Sequence, residues 1–290
     1  MTQIPTPAAR LRAMIDAGTL VRAPGAPDAL TARLVERAGF EAVYMTGFGA
    51  TAARLGLPDI GLMSQTEMTG HARDMVRATA LPVIADADTG YGGIANLIRT
   101  VEEYAQSGVA AIHLEDQQMP KRCGQRAGVR VIPAEENLRR LHCAVEARGS
   151  SDMMIIARTD ALGAHGIDEA IRRANLYRDA GVDLVFVDGI KQIADVEAVA
   201  RGVPGPKVVS IVDGNETVAL RTADLQEMGF SMVFYALTAL FASVRAVSDV
   251  LGRLESDGTP RGVADRMVAY AEFSEIVGLE RFDEADHHWG

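Results

Sequence analysis

Four segments repeat one pattern of apolar and polar positions: RAGFEAVYMTG (37–47), QSGVAAIHLED (106–116), DAGVDLVFVDG (179–189) and EMGFSMVFYAL (227–237). In each, a helix-like stretch runs into a glycine and a short apolar run follows. Glycine suits a helix C′ position because it takes positive φ without strain. The apolar runs are rich in Val, Phe, Ile and Tyr, as buried parallel strands are. TLVRAPG (19–25), LPVIADAD (81–88), DMMIIARTD (152–160) and GPKVVSIVD (205–213) read as further strands. Between them, 64–79, 93–107, 134–148 and 167–180 are predicted helices. Eight βα units in one composition regime predict an α/β fold of the (β/α)8 TIM-type barrel. An open doubly wound sheet is the alternative, but no glycine-rich phosphate fingerprint follows the first strand. Segments 239–256 and 263–278 add C-terminal helices. The whole, 1–290, reads as one barrel domain, with 238–290 contributing to an oligomer interface.

Charge narrows the partners. A net charge of −10 over 290 residues argues against nucleic acid. It leaves a small anionic substrate open, because a local site can be positive inside an acidic protein. Cys123 and Cys143 are too few for a disulfide scaffold. The first twenty residues lack the apolar core of a signal peptide, and no apolar run approaches a membrane span. A soluble cytoplasmic protein with no membrane partner is expected.

Barrel enzymes place chemistry at the C-terminal ends of strands. Seven residues beyond the repeat glycines Gly39, Gly108, Gly181 and Gly229 stand Thr46, Glu115, Asp188 and Ala236. The third strand ends in DADTGYGG, where Asp86 and Asp88 share a face if extended. The fifth ends in Arg158 and Asp160. A barrel thus gathers Asp86, Asp88, Glu115, Asp188 and Arg158 at one mouth. Crowded carboxylates repel, and a divalent cation relieves that repulsion. All-oxygen donors with retained waters fit Mg2+, with Mn2+ as a substitute. A lone aspartate at a strand end is more often a helix N-cap, and Asp88 and Asp160 are open to that reading.

QQMPKRCGQRAGVRVIP (117–133) lacks helical periodicity and is long for a βα loop, so it is a lid candidate. Lys121 and Arg122 precede Cys123. Their charge is expected to lower the thiol pKa and suit it to proton transfer. Cys143, on an amphipathic helix, reads as inert. His113, inside a strand, reads as a core residue or a support for the site rather than a base.

DADTGYGG, HLEDQQMPKRCG and GLPDIGLMSQTEM together resemble the isocitrate lyase/phosphoenolpyruvate mutase superfamily, in its short-chain branch of methylisocitrate, dimethylmalate and oxaloacetate enzymes. The resemblance runs from about Leu11 to Leu254. It implies a barrel binding Mg2+ and a 2-hydroxy or 2-oxo acid, and a homotetramer in which a C-terminal helix is swapped. By resemblance, Asp86 would bind Mg2+, with Asp59, Asp88 and Glu115 holding it directly or through waters. Thr46, Gly47 and Phe48 would embrace the substrate carboxylate, Arg158 would clamp the same end, and Tyr44 would lie near the enolate. Cys123 would exchange a proton with the carbon freed by cleavage, with Lys121 beside it. Gly124, Gln125, Asp188 and Ser210 would face the rest of the substrate.

This chain departs from the family pattern at four of these places. Gln125 replaces a histidine, Asp188 a glutamate, Ser210 an asparagine and Ala236 a proline. The changes fall where the departing half of the substrate is read, which argues against isocitrate-type substrates. The leading expectation is a carbon–carbon lyase acting on a substituted malate. Oxaloacetate hydrolysis or decarboxylation, phosphorus–carbon mutase chemistry, and a non-catalytic 2-oxo-acid-binding barrel are the alternatives. A Schiff-base aldolase is disfavoured because Lys207 starts its strand and Lys191 lies on an outgoing turn.

Overall fold

All eight apolar runs are strands: β1 (Val21–Ala26), β2 (Val43–Met45), β3 (Val83–Asp86), β4 (Ala111–Glu115), β5 (Met154–Thr159), β6 (Leu184–Val187), β7 (Lys207–Ile211) and β8 (Met232–Tyr235). The computed structural model describes residues 5–290. Every strand pairs in parallel with the next, and β8 pairs back to β1, so the barrel closes. The expected (β/α)8 fold is the one observed.

Local chemistry sets the units. Gly108, at φ +87°, ends the helix Ile94–Ser107 and turns the chain into β4. Ser64 and Glu67 form a reciprocal capping box that starts the helix Gln65–Ala78. The helices Ala134–Arg148 and Ile167–Arg178 also fall where spacing predicts them. Alternate strand residues Val21, Ala23, Tyr44, Ile84, Ile156, Phe186 and Phe234 fill the barrel interior. The helix Pro7–Asp16 adds Leu11 and Ile15 to that cluster. Its Arg12 pairs with Asp183, just before β6, at 2.8 Å. This helix therefore plugs the N-terminal end and leaves the C-terminal end for the site. Strand faces pointing outward pack on the helices in a second cluster that includes Val101, Tyr104, Leu141 and Tyr177.

The chain divides into two compact units, Met1–Thr238 and Ala239–Gly290. Most of the helix Thr238–Asp257 falls in the second, where Val244, Val247 and Leu251 are more than half exposed. The single helix expected over 263–278 is not formed. A 3-10 helix spans Pro260–Arg266, the chain extends at Met267, and a separate helix runs Tyr270–Val277. His287 and His288 lie on a further exposed helix, Glu280–Trp289. Among the described residues no helix is long and apolar enough to cross a membrane.

Candidate active site

The C-terminal ends of the strands converge on one cavity of about 50 Å3. Tyr44, Thr46 and Phe48 reach it from β2 and the helix Gly47–Leu55, Asp86 from β3, Arg158 from β5 and Asp188 from β6. Ser210 comes from β7, and Asp59 from the chain after the helix Gly47–Leu55. Cys123, Gly124 and Gln125 come from the loop after β4. Gly47, Asp88, Glu115 and Lys121 do not line the cavity but stand against residues that do. Val212, Ala236 and Leu237 make an apolar side.

Two cations organise the carboxylates. The buried Lys121 ammonium lies 2.6 Å from Asp59 and 2.5 Å from Asp88. Buried Arg158 donates through Nε and Nη2 to Asp160, at 2.9 and 2.8 Å. Its Nη2 also lies 2.6 Å from Asp188 and 3.3 Å from Glu115. Burial alone would lower the pKa of both cations, but the surrounding carboxylates push both well above their ordinary values. Asp160 stands at the N-cap position of the helix Ala161–His165 but makes no side-chain capping bond, because its carboxylate is committed to Arg158. Nor does Asp88 cap a helix, since the next one, Ile94–Ser107, has Gly93 at its N-cap.

Asp86 receives the Gly47 N–H at 3.2 Å and the Asp88 N–H at 2.9 Å. Burial opposes its charge, yet the positive surroundings, led by His113 and then Lys121 and Arg158, hold its pKa down to about 2. Burial drives His113 to about 4, so it is neutral at pH 7 and Lys121 and Arg158 then keep Asp86 ionised. His113 Nε2 meets the Tyr44 hydroxyl at 3.0 Å, and its Nδ1 lies 3.7 Å from Asp86. It supports the site from the barrel core. Burial also raises Asp88 to about 6 despite Lys121, and lifts Glu115 well above its ordinary value. Both Glu115 carboxylate oxygens are buried without a hydrogen bond.

The loop after β4 is pinned at its base. Gln117 bridges Val131, Gln118 N–H donates to Arg130 at 2.8 Å, and Ile132 N–H donates to Asp116 at 2.9 Å. The Gln117 side chain clasps the Arg122 backbone through both amide atoms, at 2.8 and 2.9 Å. Asp116 accepts from Thr159, Arg173, Tyr177 and the Asp160 N–H, all within 3.0 Å. It ties the loop base to the turn that carries Arg158 and Asp160. Beyond the clasp, Gly124 lies so close to Asp160, Asp188 and Arg158 that a Cβ would sit 2.5 Å from Asp188 Oδ2.

The thiol departs from expectation. Burial pushes the Cys123 pKa above its ordinary value, and Asp188 and Asp59 push the same way. Lys121 does not lower it, because its ammonium points down to Asp59 and Asp88, and Arg122 is exposed. Two contributors escaped the sequence reading. Asn215, after β7, donates to Gln125 Oε1 at 3.0 Å, and Asp116 has the anchoring role just described. Only the position of Asp116 at a strand end hinted at the second; nothing in the sequence marked the first.

Fold and site together define a barrel whose C-terminal mouth gathers buried carboxylates around two cations. Residues 11–254 match the description phosphoenolpyruvate phosphomutase, and the chain belongs to the phosphoenolpyruvate mutase/isocitrate lyase superfamily. It is 41% identical to 2,3-dimethylmalate lyase of Eubacterium barkeri over 97% of this chain and 98% of that one. A solved oxaloacetate acetylhydrolase with bound 3,3-difluorooxalacetate superposes at a TM-score of 0.91, with 34% identity over 98% of this chain and 97% of that one. A phosphonopyruvate hydrolase with oxalate and Mg2+ superposes at 0.90, with 31% identity over 98% and 99% of the two chains.

Proposed function

We propose that the protein is a Mg2+-dependent carbon–carbon lyase that splits a substituted malate into a 2-oxo acid and a simpler carboxylic acid. The observation that carries the reading is the place of Cys123: its thiol lines the same cavity as Tyr44, Asp86 and Arg158. Cleavage leaves an electron pair on carbon, and that carbon needs an acid. A half-buried thiol with a raised pKa keeps its proton at pH 7, which is the state this direction requires. The 2-hydroxyl loses its proton and the adjacent carbon–carbon bond breaks. The freed carbon takes the Cys123 proton. The hydroxyl proton later restores the thiol, so the cycle consumes no net acid.

Thr46, Phe48 and Arg158 would hold the carboxylate next to the cleaved bond, with Gly47 engaged instead in steadying Asp86; Arg158 offers Nη1, which its carboxylate partners leave free. Burial keeps the Tyr44 hydroxyl protonated, so it can donate toward developing oxyanion charge. The strand-end donors are carboxylate oxygens, which suit a hard cation that retains waters, and those of Glu115 are buried without a hydrogen bond; among the described residues no three His, Cys, Asp or Glu side chains converge on one point, so waters would complete the shell. Asp86 and Glu115 would hold it, with Asp59 and Asp88, which share Lys121, assisting through water. When bound, the cation stabilises negative charge on substrate oxygen. Among the described residues lining the cavity, Arg158 is the sole cation, while Val212, Ala236 and Leu237 offer apolar surface. This favours an alkyl-substituted dicarboxylate over a tricarboxylate. The exposed stripe Val244, Val247 and Leu251 supports the expectation that a second copy covers the C-terminal helix.

The likeness to oxaloacetate acetylhydrolase supports a second reading, hydrolysis of oxaloacetate. Product analysis separates the two. With Mg2+, release of a 2-oxo acid from 2,3-dimethylmalate or a close analogue is expected, falling a hundredfold or more in Cys123→Ser, about the size of a lost general acid. Oxalate from oxaloacetate, with every malate inert, would replace the lyase reading with the hydrolase one.

A further inference from the structure

We propose that Asn215 is a positioning residue that, through Gln125, holds the Cys123 loop down on the cavity. The direction of the Gln125 amide follows from its neighbours. Asp188 is paired with Arg158 at 2.6 Å, and its carboxylate can only accept. It takes Gln125 Nε2 at 3.5 Å, a weak contact. That turns Gln125 Oε1 outward, where it needs a donor. Asn215 Nδ2 supplies one at 3.0 Å.

Asn215 is itself held by backbone. Its N–H donates to Val212 at 3.2 Å, and the next N–H, of Glu216, donates to Lys191 at 3.1 Å. A hydrogen-bonded chain thus runs from the turn after β7, through the loop after β4, to the end of β6. It grips the loop two residues beyond Cys123. The tethers at the loop base, from Gln117 to Arg122, lie on the other side of the thiol. Cys123 is therefore gripped on both sides, and Asn215 supplies the second grip. Asn215 does not line the cavity and needs no contact with substrate. The kinetic half of this inference rests on the lyase reading, and the structural half does not.

The test follows the reactivity of Cys123 toward an aromatic disulfide in ligand-free protein, with Cys143→Ser as the background so that one thiol reports. Asn215→Ala should speed labelling roughly two- to tenfold, the size of one lost hydrogen bond. Asn215→Asp keeps the shape but sets acceptor against acceptor at Gln125 Oε1, so it should label faster still. Gln125→Ala should match Asn215→Ala, and the double variant should add little beyond either. In turnover, kcat should fall more than KM rises. Labelling unchanged in both Asn215 variants overturns the proposal, as does an Asn215→Asp protein that behaves like its parent, since that would make Asn215 a filler of space. Faster labelling in a protein inactive on every malate would uphold the grip and remove the lyase reading instead.

Discussion

Adding a single methyl group at Gly124 tests how closely the loop must seat. In Gly124→Ala the new Cβ would lie 2.5 Å from Asp188 Oδ2 and 2.8 Å from Arg158 Nη2. It would lie closer still to Asp160 Oδ1, and since ordinary contact begins near 3.4 Å, about 1 Å must be recovered. The partners cannot retreat easily. Asp188 and Asp160 are both held by Arg158, and the Asp160 N–H is held by Asp116 at 2.9 Å. The loop has to lift, and it takes the adjacent Cys123 with it. A misplacement near 1 Å costs about a hundredfold in rate, or roughly 2.7 kcal/mol of barrier. Because the strain is released by moving a surface loop, thermal stability should change little. The assay is kcat/KM on the substituted malate that the wild type cleaves, with the melting temperature measured on the same preparation. A variant within threefold of wild type would refute the argument. So would one that loses several degrees of melting temperature and keeps its rate, because Gly124 would then matter for packing alone.

The remaining predictions concern charge. Lys121→Met strands Asp59 and Asp88 without their shared cation, and losing one partner of a buried pair costs about 3–5 kcal/mol. The deficit in melting temperature should shrink from pH 8 to pH 5 as Asp88, already raised to about 6, takes up a proton; a deficit independent of pH would contradict this. Glu169 is held down to about 2 from 4.5 by hydrogen bonds from Arg172, with Arg173 adding to them. Its contribution to stability is complete above pH 4.5 and is lost as pH falls through about 2. Glu169→Gln should therefore flatten the acid limb of melting temperature against pH in that window.

The barrel was legible because its cues are local. A glycine at each repeated helix end, followed by an apolar run, needs no knowledge of the rest of the chain, and counting from Gly108 and Gly181 reaches Glu115 and Asp188 at the strand ends. The helix Gly47–Leu55 was not legible, since GFGATAARL carries two glycines where helices disfavour them. Lys121 misled for a different reason. In a loop rich in Gly and Pro, a lysine beside a cysteine suggests a charge acting on the thiol. Direction decides otherwise, and the ammonium is buried under the loop. Asn215 is ninety residues from Gln125, so no local pattern could join them.

The pinched base of the loop after β4 carries an implication for how such proteins diversify. Residues 118–130 leave and return at adjacent points, between the Gln117–Val131 bridge and the Asp116–Ile132 hydrogen bond. The segment is thus a cassette whose mounting points lie outside it, with Lys121 as the one member that reaches back to the carboxylates Asp59 and Asp88. Doubling the length of such an excursion costs only about 0.6 kcal/mol of closure entropy. New acids, nucleophiles or pocket walls can be traded in at this socket while Lys121 and the strand-end carboxylates beneath it are kept. One scaffold can thereby move between bond-breaking chemistries by exchanging little more than a dozen residues.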